Sequence, residues 1–387
     1  MSSAKKHFDI IIAGAGCAGL SAAWHLTRYP ILAKKKILLI DRTFEPRDDR
    51  TWCFWSMDSV PDPVPVYRKW EKMEVRVLQE RMTGEIRETP YYCVKSAPYS
   101  AEMQKALEGS GVEFLEGDVL EIKAGNEKAV VKTSSGDFTA GLVIDTIPPN
   151  HKQEGELSLL QHFAGWEIET EEPVFDPSTI RFMDFDIPQK AGATFIYVLP
   201  YSENKALIEY TLFSDQLLEK EEYAKGIEDY IRDRYPGQMY KVERKEFGVI
   251  PMAPGIYDQP ENAHVIRLGQ AAGMPKASTG YTFSRIHWLA AKLARDLSDG
   301  KRPDLSNPSR LRYRLYDILL LDIIHNQPDQ ILPVFYHFFK LNRFEMLLRF
   351  LDEKTSFTED LFIMSTVPFA PFIKAIKDRK NLLLREL

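Results

Sequence analysis

Read for the spacing of its apolar positions, the chain opens on FDIIIAGAGCAGLSAAWHL: an unbroken apolar run, a glycine turn and an alanine-rich stretch. An apolar run without polar alternation predicts a strand covered on both faces, and the alanine-rich stretch predicts a helix lying close to it. KKILLID repeats the buried-strand pattern, so the first 41 residues predict a βαβ unit with two parallel strands. YSAEMQKALEGSGVEFLEGDVLEI predicts a further helix and strand. KAVVKTSSGDFTAGLVIDTI predicts a hairpin followed by a short parallel strand ending near Ile147.

From about residue 155 the pattern changes. HFAGWEIET, TIRFMDF, ATFIYVLPY and KALIEYTLF predict long antiparallel strands, with SENK as the hairpin loop between the last two. A charged helix is expected at about 218–234, followed by the strand KVERKEFGVIPM. AHVIRLGQAAGMPKASTGYTF then returns to the first domain. From about residue 307 the chain reads as helical and heavy in aromatics. The expected organisation is an α/β nucleotide-binding domain in two parts, 1–150 and 256–305, an inserted antiparallel substrate domain, 151–255, and a C-terminal helical region, 306–387.

Composition narrows the function classes. With 44% hydrophobic residues the chain can bury the core of one large or two interlocked domains. A formal net charge of −6 with no strongly basic region argues against a nucleic-acid partner. Cys17, Cys53 and Cys93 form neither a zinc pattern nor a disulfide framework, and read as small apolar residues in a reducing compartment. No run of about 18 apolar residues predicts a membrane-spanning helix. MSSAKKHFDIIIAGAG enters a strand directly, without the features of a signal peptide, so a cytoplasmic location is expected.

Gly14-Ala15-Gly16-Cys17-Ala18-Gly19 is a G-x-G-x-x-G directly after a strand and opening a helix. Glycines there let backbone approach a pyrophosphate, which the helix N-terminus attracts. Asp41, ending the next strand, can accept both ribose hydroxyls. The inserted sheet and the late LGQAAG favour FAD over NAD, making this a Rossmann-type FAD-binding domain. Gly269, Gln270, Ala271 and Gly273 would form the second cofactor motif. Many redox flavoenzymes have Gly-Asp there, binding the ribityl chain; Gln270 stands in the Asp position, which weakens the match to them.

Six ordered stretches resemble the lycopene β-cyclases of carotenoid biosynthesis: DDRTWCFW, YYCVKSAPYSAEM, LQHFAGWEIE, LIEYT, GVIPM and GQAAGMPKASTGYTFSRI. With the glycine motif they span about residues 8 to 300. The resemblance implies an enzyme that binds reduced FAD, takes electrons from NAD(P)H, and cyclises the linear ψ ends of lycopene to β-ionone rings without net redox change. A proton adds to the polyene, the cation closes a ring, and a proton leaves. An acyclic carotenoid would be the substrate and a membrane surface its source.

The family carries a Glu-acid-Thr element whose first Glu is the acid/base, and LIEYT assigns that role to Glu209. Glu209 interrupts an apolar strand, where a carboxylate must be solvated, paired or kept neutral. Without the resemblance, an edge-strand Glu facing solvent is the simpler reading. The second, usually acidic position is Tyr210, which strand alternation turns to the opposite face, so either the second acid is dispensable or the register differs. Arg50 and Gly280 are expected near the flavin, and Trp52, Trp55, Phe163, Trp166 and Tyr281 along the polyene; for the aromatics, plain core packing is the competing reading. Arg343, Arg349, Lys374, Lys377, Arg379 and Lys380 flank the C-terminal aromatic helices, fitting either peripheral attachment to the inner membrane face or internal packing. The rival function is a redox flavoenzyme acting on a lipophilic isoprenoid.

Overall fold

A computed structural model describes residues 6–148, 157–190, 192–254, 259–260 and 262–386. Ile10, Ile11, Ile12 and Ala13 of the strand Lys6–Ala13 are buried, as are Ile37 to Ile40 of Ile37–Asp41, and the two strands pair in parallel. The first sheet runs in the order Val112–Glu116, Ile37–Asp41, Lys6–Ala13, Gly136–Asp145, Ala129–Thr133, Val119–Ala124, with Val265–Arg267 also on Gly136–Asp145. That last strand brings the chain back to the first domain in parallel register, Val143 opposite Val265. One departure concerns the hairpin and the parallel strand expected before Ile147. The hairpin forms, but its second arm and the parallel strand are one ten-residue strand, Gly136–Asp145, antiparallel to Ala129–Thr133 on one side and parallel to Lys6–Ala13 on the other.

The helices Cys17–Thr27 and Phe283–Ser298 lie on one face of this sheet and share a core through Leu20, Ala23, Leu26, Leu289 and Leu293. His287 cross-links them: its imidazole meets Ser21 Oγ at 3.2 Å and Tyr99 Oη at 3.1 Å.

The second sheet has the order Tyr240–Met252, Leu159–Thr170, Lys205–Ser214, Ala193–Pro200, Thr179–Asp184, Lys72–Val77, Glu80–Glu85. Its last two strands form a hairpin that precedes residue 150, so this sheet draws on more of the chain than 151–255. Its charged sequence conceals the burial. Glu74 is 2% exposed, held by Arg76 Nε at 2.8 Å and Arg181 Nε at 2.7 Å. The expected boundaries at 150/151 and 255/256 lie outside the described residues.

The helix Lys220–Arg234 covers one face of the second sheet. The other face meets a small three-stranded sheet, Thr51–Trp55, Tyr91–Lys95 and Arg68–Trp70, together with the C-terminal helices. Phe335 in the helix Pro328–Lys340 stacks on Phe185 at 5.0 Å, so the C-terminal region is welded to this sheet. Among the described residues no helix is long and apolar enough to cross a membrane.

Candidate active site

The glycine loop is shaped by what its missing Cβ atoms would strike. Gly14 has φ +98°, which favours glycine, and a Cβ there would meet Thr146 Oγ1. A Cβ on Gly19 would meet the Gly14 carbonyl oxygen, so the helix can pack close to the turn. Gly16, by contrast, has nothing within 4 Å of its Cβ position. It is the N-cap of the helix Cys17–Thr27 and gives the first-turn amides no side-chain cap. Asp41 Oδ2 accepts from the Ala15 amide at 2.5 Å and fixes the loop to the end of the second strand. Gly269, at φ +74°, sets its backbone against Ala18, so the Gly269–Ala272 turn with Gln270 and Ala271 packs on the first motif and ends at left-handed Gly273. This cradle fits a dinucleotide pyrophosphate. Cys17 is buried beneath Tyr99, and Arg50 is exposed.

The inner face of the second sheet gathers two acids. Tyr197, Glu209, Gly165 and Glu246 are consecutive cross-strand partners on four neighbouring strands. A Cβ on Gly165 would come within 3.0 Å of Cγ of both Glu209 and Glu246, so the bare glycine lets the two carboxyls share the space above it. The two acids are held differently. Glu246 Oε2 accepts from Arg244 Nη1 at 2.6 Å and from Thr51 Oγ1 at 2.9 Å. Among the described residues Glu209 has no ion pair. Burial, then the charge of Glu246 and a hydrogen bond to it, push the Glu209 carboxyl well above the usual range, against the pull of Arg244. Glu246 carries no mark in its own stretch of sequence, because its partnership with Glu209 runs through a third strand.

Thr51, Cys53 and Trp55 face Lys95, Cys93 and Tyr91 pairwise in the small sheet, and these pairs cover the carboxyls. Thr51 reaches Glu246, and Lys95 Nζ reaches Glu167 Oε2 at 2.8 Å. Trp55 and Tyr91 gather with Tyr281, whose hydroxyl is 2.8 Å from that of Tyr91 and whose ring lies 4.5 Å from Trp55. A cavity of about 50 Å³ adjoins Trp55 and Tyr281; its lining does not include Glu209.

Phe163 shares the inner face, its ring lying over Gly248. Gln161 follows, beneath Gly280. Gln161 Oε1, Thr211 Oγ1 and Glu246 Oε1, all on this face, are buried without a hydrogen-bond partner among the described residues. Two expected lining residues belong elsewhere. Alternation turns Trp166 to the outer face, into the core with Ile227 and Tyr230 and under Lys245 Nζ at 4.3 Å. It also turns Trp52 away from Trp55, against Tyr99 at 5.2 Å and Phe283 at 5.8 Å.

The segment from Gly273 to Arg285 is anchored by buried ions. Lys276 Nζ binds Asp317 Oδ1 at 2.9 Å and Glu353 Oε1 at 2.9 Å, and Ser278 Oγ donates to Asp317 Oδ1 at 2.6 Å. These bonds fix the approach of Gly280 and Tyr281 to the site from the C-terminal helices.

A mixed sheet with a glycine cradle, joined to a largely antiparallel sheet bearing an acid on its inner face, defines a Rossmann-type dinucleotide-binding architecture. The fold is similar to that of the geranylgeranyl bacteriochlorophyll reductase-like protein of Thermoplasma acidophilum, with a TM-score of 0.64, 13% identity and coverage of 98% of this chain and 100% of that one. The family described as Lycopene cyclase protein matches residues 9–377, and the chain belongs to it. It is 27% identical over 393 residues to the lycopene beta-cyclase of Paracoccus sp., covering 95% of this chain and 96% of that protein. It is also 27% identical over 397 residues to the lycopene beta-cyclase of Pantoea ananas, covering 96% and 98%.

Proposed function

We propose that this protein is a lycopene β-cyclase in which Glu209 is the acid and base. The observation that carries the reading is a carboxyl without a cation of its own among the described residues, set between Tyr197 and Gly165 on the inner sheet face beside the Cys53–Cys93 pair, with its affinity for protons raised. Such a group holds its proton to higher pH than an ordinary carboxyl and can give that proton to an alkene.

Glu209 donates its proton to the terminal double bond of a ψ end group. The tertiary cation is attacked by the neighbouring double bond, one C–C bond closes the six-membered ring, and the Glu209 carboxylate removes a ring proton. Atoms and charge balance without an oxidant. Trp55, Tyr281 and Phe163 offer ring faces to a cation, each worth about 2 kcal/mol when desolvated. The burial of Trp55 and Tyr91 keeps water from capturing it.

FAD fits the cradle of Gly14, Gly16, Gly19 and Asp41; reduced, with NAD(P)H as electron source, it supplies negative charge to a cationic transition state. The side chains of Gln161 and Thr211 provide polar atoms unpartnered among the described residues, on the face opposite Gly280.

A polyene insoluble in water reaches the site from a bilayer. The helices Phe357–Thr366 and Phe369–Asp378 expose Phe357, Leu361, Phe362, Phe369, Ile373 and Ile376, beside exposed Lys374 and Lys377. Not all the flanking bases are available: Arg379 Nε is bound to Asp322 at 2.6 Å, and Arg349 to Glu359.

The test is anaerobic conversion of lycopene in liposomes by protein with FAD and NADPH. A product of unchanged mass with β-ring absorption, lost in Glu209→Gln, is expected. A product shifted by hydrogen or oxygen would instead assign a redox reaction.

A further inference from the structure

We propose that Glu246 is the positioning residue that keeps the catalytic proton on Glu209, with Arg244, Thr51 and Gly165 fixing the pair. The proposal rests on Glu209 being the acid.

Two carboxyls above one glycine cannot both ionise cheaply, so they hold one proton between them. Which one holds it is decided by their other partners. Glu246 Oε2 receives a guanidinium N–H at 2.6 Å and a threonine hydroxyl at 2.9 Å, and both stabilise charge on Glu246. Glu209 has neither. The remaining oxygen of Glu246, Oε1, is buried and lacks a donor among the described residues. A protonated Glu209 directs its O–H into that vacancy. The asymmetry therefore stores the proton on the residue that faces the aromatic space.

Every charged group around the pair supports the same assignment. Arg244 Nε also approaches Glu167 Oε2 at 3.3 Å and Asp48 Oδ2 at 3.5 Å, so its position is set by three acids. Lys95 at 2.8 Å and Lys205 at 3.0 Å balance Glu167, leaving Arg244 as the cation on Glu246. Tyr197 on the other flank of Glu209 is a neutral phenol, held up by burial.

The arrangement has a consequence for turnover. Once Glu209 has given up its proton, two carboxylates stand side by side next to a carbocation. Their repulsion makes Glu209 a stronger base than an isolated carboxylate, and it recovers a proton from the ring. One proton is donated and one regained, so the pair returns to its starting charge at the end of each ring closure, and its proton exchanges with solvent before the next.

The experiment is a pH–rate profile of lycopene cyclisation by the FAD-loaded, reduced enzyme in liposomes, with wild type, Glu246→Gln and Glu246→Asp. Removing the neighbouring charge lowers the proton affinity of Glu209. The alkaline limb of Glu246→Gln should move down by about one pH unit or more, with a rate loss of about tenfold on that limb. Glu246→Asp should restore part of the displacement. An unmoved limb in Glu246→Gln overturns the proposal. A second readout needs no substrate: the infrared carbonyl band of protonated Glu209, identified by its loss in Glu209→Gln, should titrate at lower pH in Glu246→Gln. Coincident titrations of that band contradict the proposal even where lycopene is not converted. Absence of conversion by wild type would remove the assigned substrate alone.

Discussion

Cys53 and Cys93 face each other across the small sheet that lies over the carboxyl pair. The backbone bonds Ser56 N to Pro90 O and Ser96 N to Arg50 O mark the even-numbered positions of the first strand as hydrogen-bonded pairs, so Cys53 and Cys93 form a non-hydrogen-bonded pair. At such pairs the Cα atoms are about 4.5 Å apart and the side chains close. A hydrogen bond to Cys93, then burial, then the nearby Glu209 and Glu246 charges hold the Cys53 thiol well above its ordinary value. Monofunctional alkylation should therefore be slow at pH 7, because the thiolate is the reactive form. A trivalent arsenical, which bridges two thiols, should bind one equivalent and stop the reaction, with reversal by a dithiol. Equal binding to Cys53→Ser, measured by mass, would contradict the pairing.

Trp166 separates core packing from the substrate face. Trp166→Phe should lower the melting temperature, because the residue fills the core under the helix Lys220–Arg234. The cost is of the order of 1–3 kcal/mol. The KM for the carotenoid should stay within about twofold. Phe163→Ala, on the inner face, should change KM by more than stability alone explains. A large KM effect from Trp166→Phe in a protein of unchanged melting temperature would contradict the face assignment.

Acid stability follows from three histidines held neutral by burial. His25 and His162 are lowered to about 4 and His287 to about 3, from 6.5. Below pH 6.5 the unfolded chain binds protons that the folded chain refuses, so stability is lost as pH falls toward 4. Glu209 has the opposite sign: its raised folded value makes its contribution fall as pH rises above the unfolded range. The melting temperature should drop from pH 6.5 to 4.5, and Glu209→Gln should gain on wild type as pH increases. A flat melting temperature over that acid range would contradict the histidine assignment.

Much of this was readable in the chain and some was not. The βαβ unit, the glycine loop and Asp41 are local patterns whose geometry follows from neighbours in sequence. Glu209 is visible because it interrupts an apolar strand. Glu246 is not, because it meets Glu209 only across Gly165, in a register that no local pattern specifies. Strand alternation separates Phe163 from Trp166, but which face is inner depends on where Lys220–Arg234 packs. The burial of Glu74 in the hairpin Lys72–Glu85 is not legible, because the arginines that neutralise it, two of them from its own hairpin, are themselves charged residues.

Membrane docking should depend on the outer faces of the last helices. Phe362→Glu with Ile373→Glu, at positions 53% and 51% exposed, should leave the melting temperature unchanged and abolish co-sedimentation with anionic liposomes at low salt. Wild-type protein remaining in the supernatant would contradict docking.

The most direct test of cyclisation by proton transfer is the mass of the product formed in D₂O. Protonation of the polyene by an exchangeable Glu209 carboxyl, followed by loss of a different proton from the ring, predicts one deuterium retained per ring formed. In H₂O the mass should equal that of lycopene, and Glu209→Gln should form no labelled product. Rings formed without deuterium, or a mass changed by two hydrogens in H₂O, would contradict Glu209 as the acid of a non-redox cyclase.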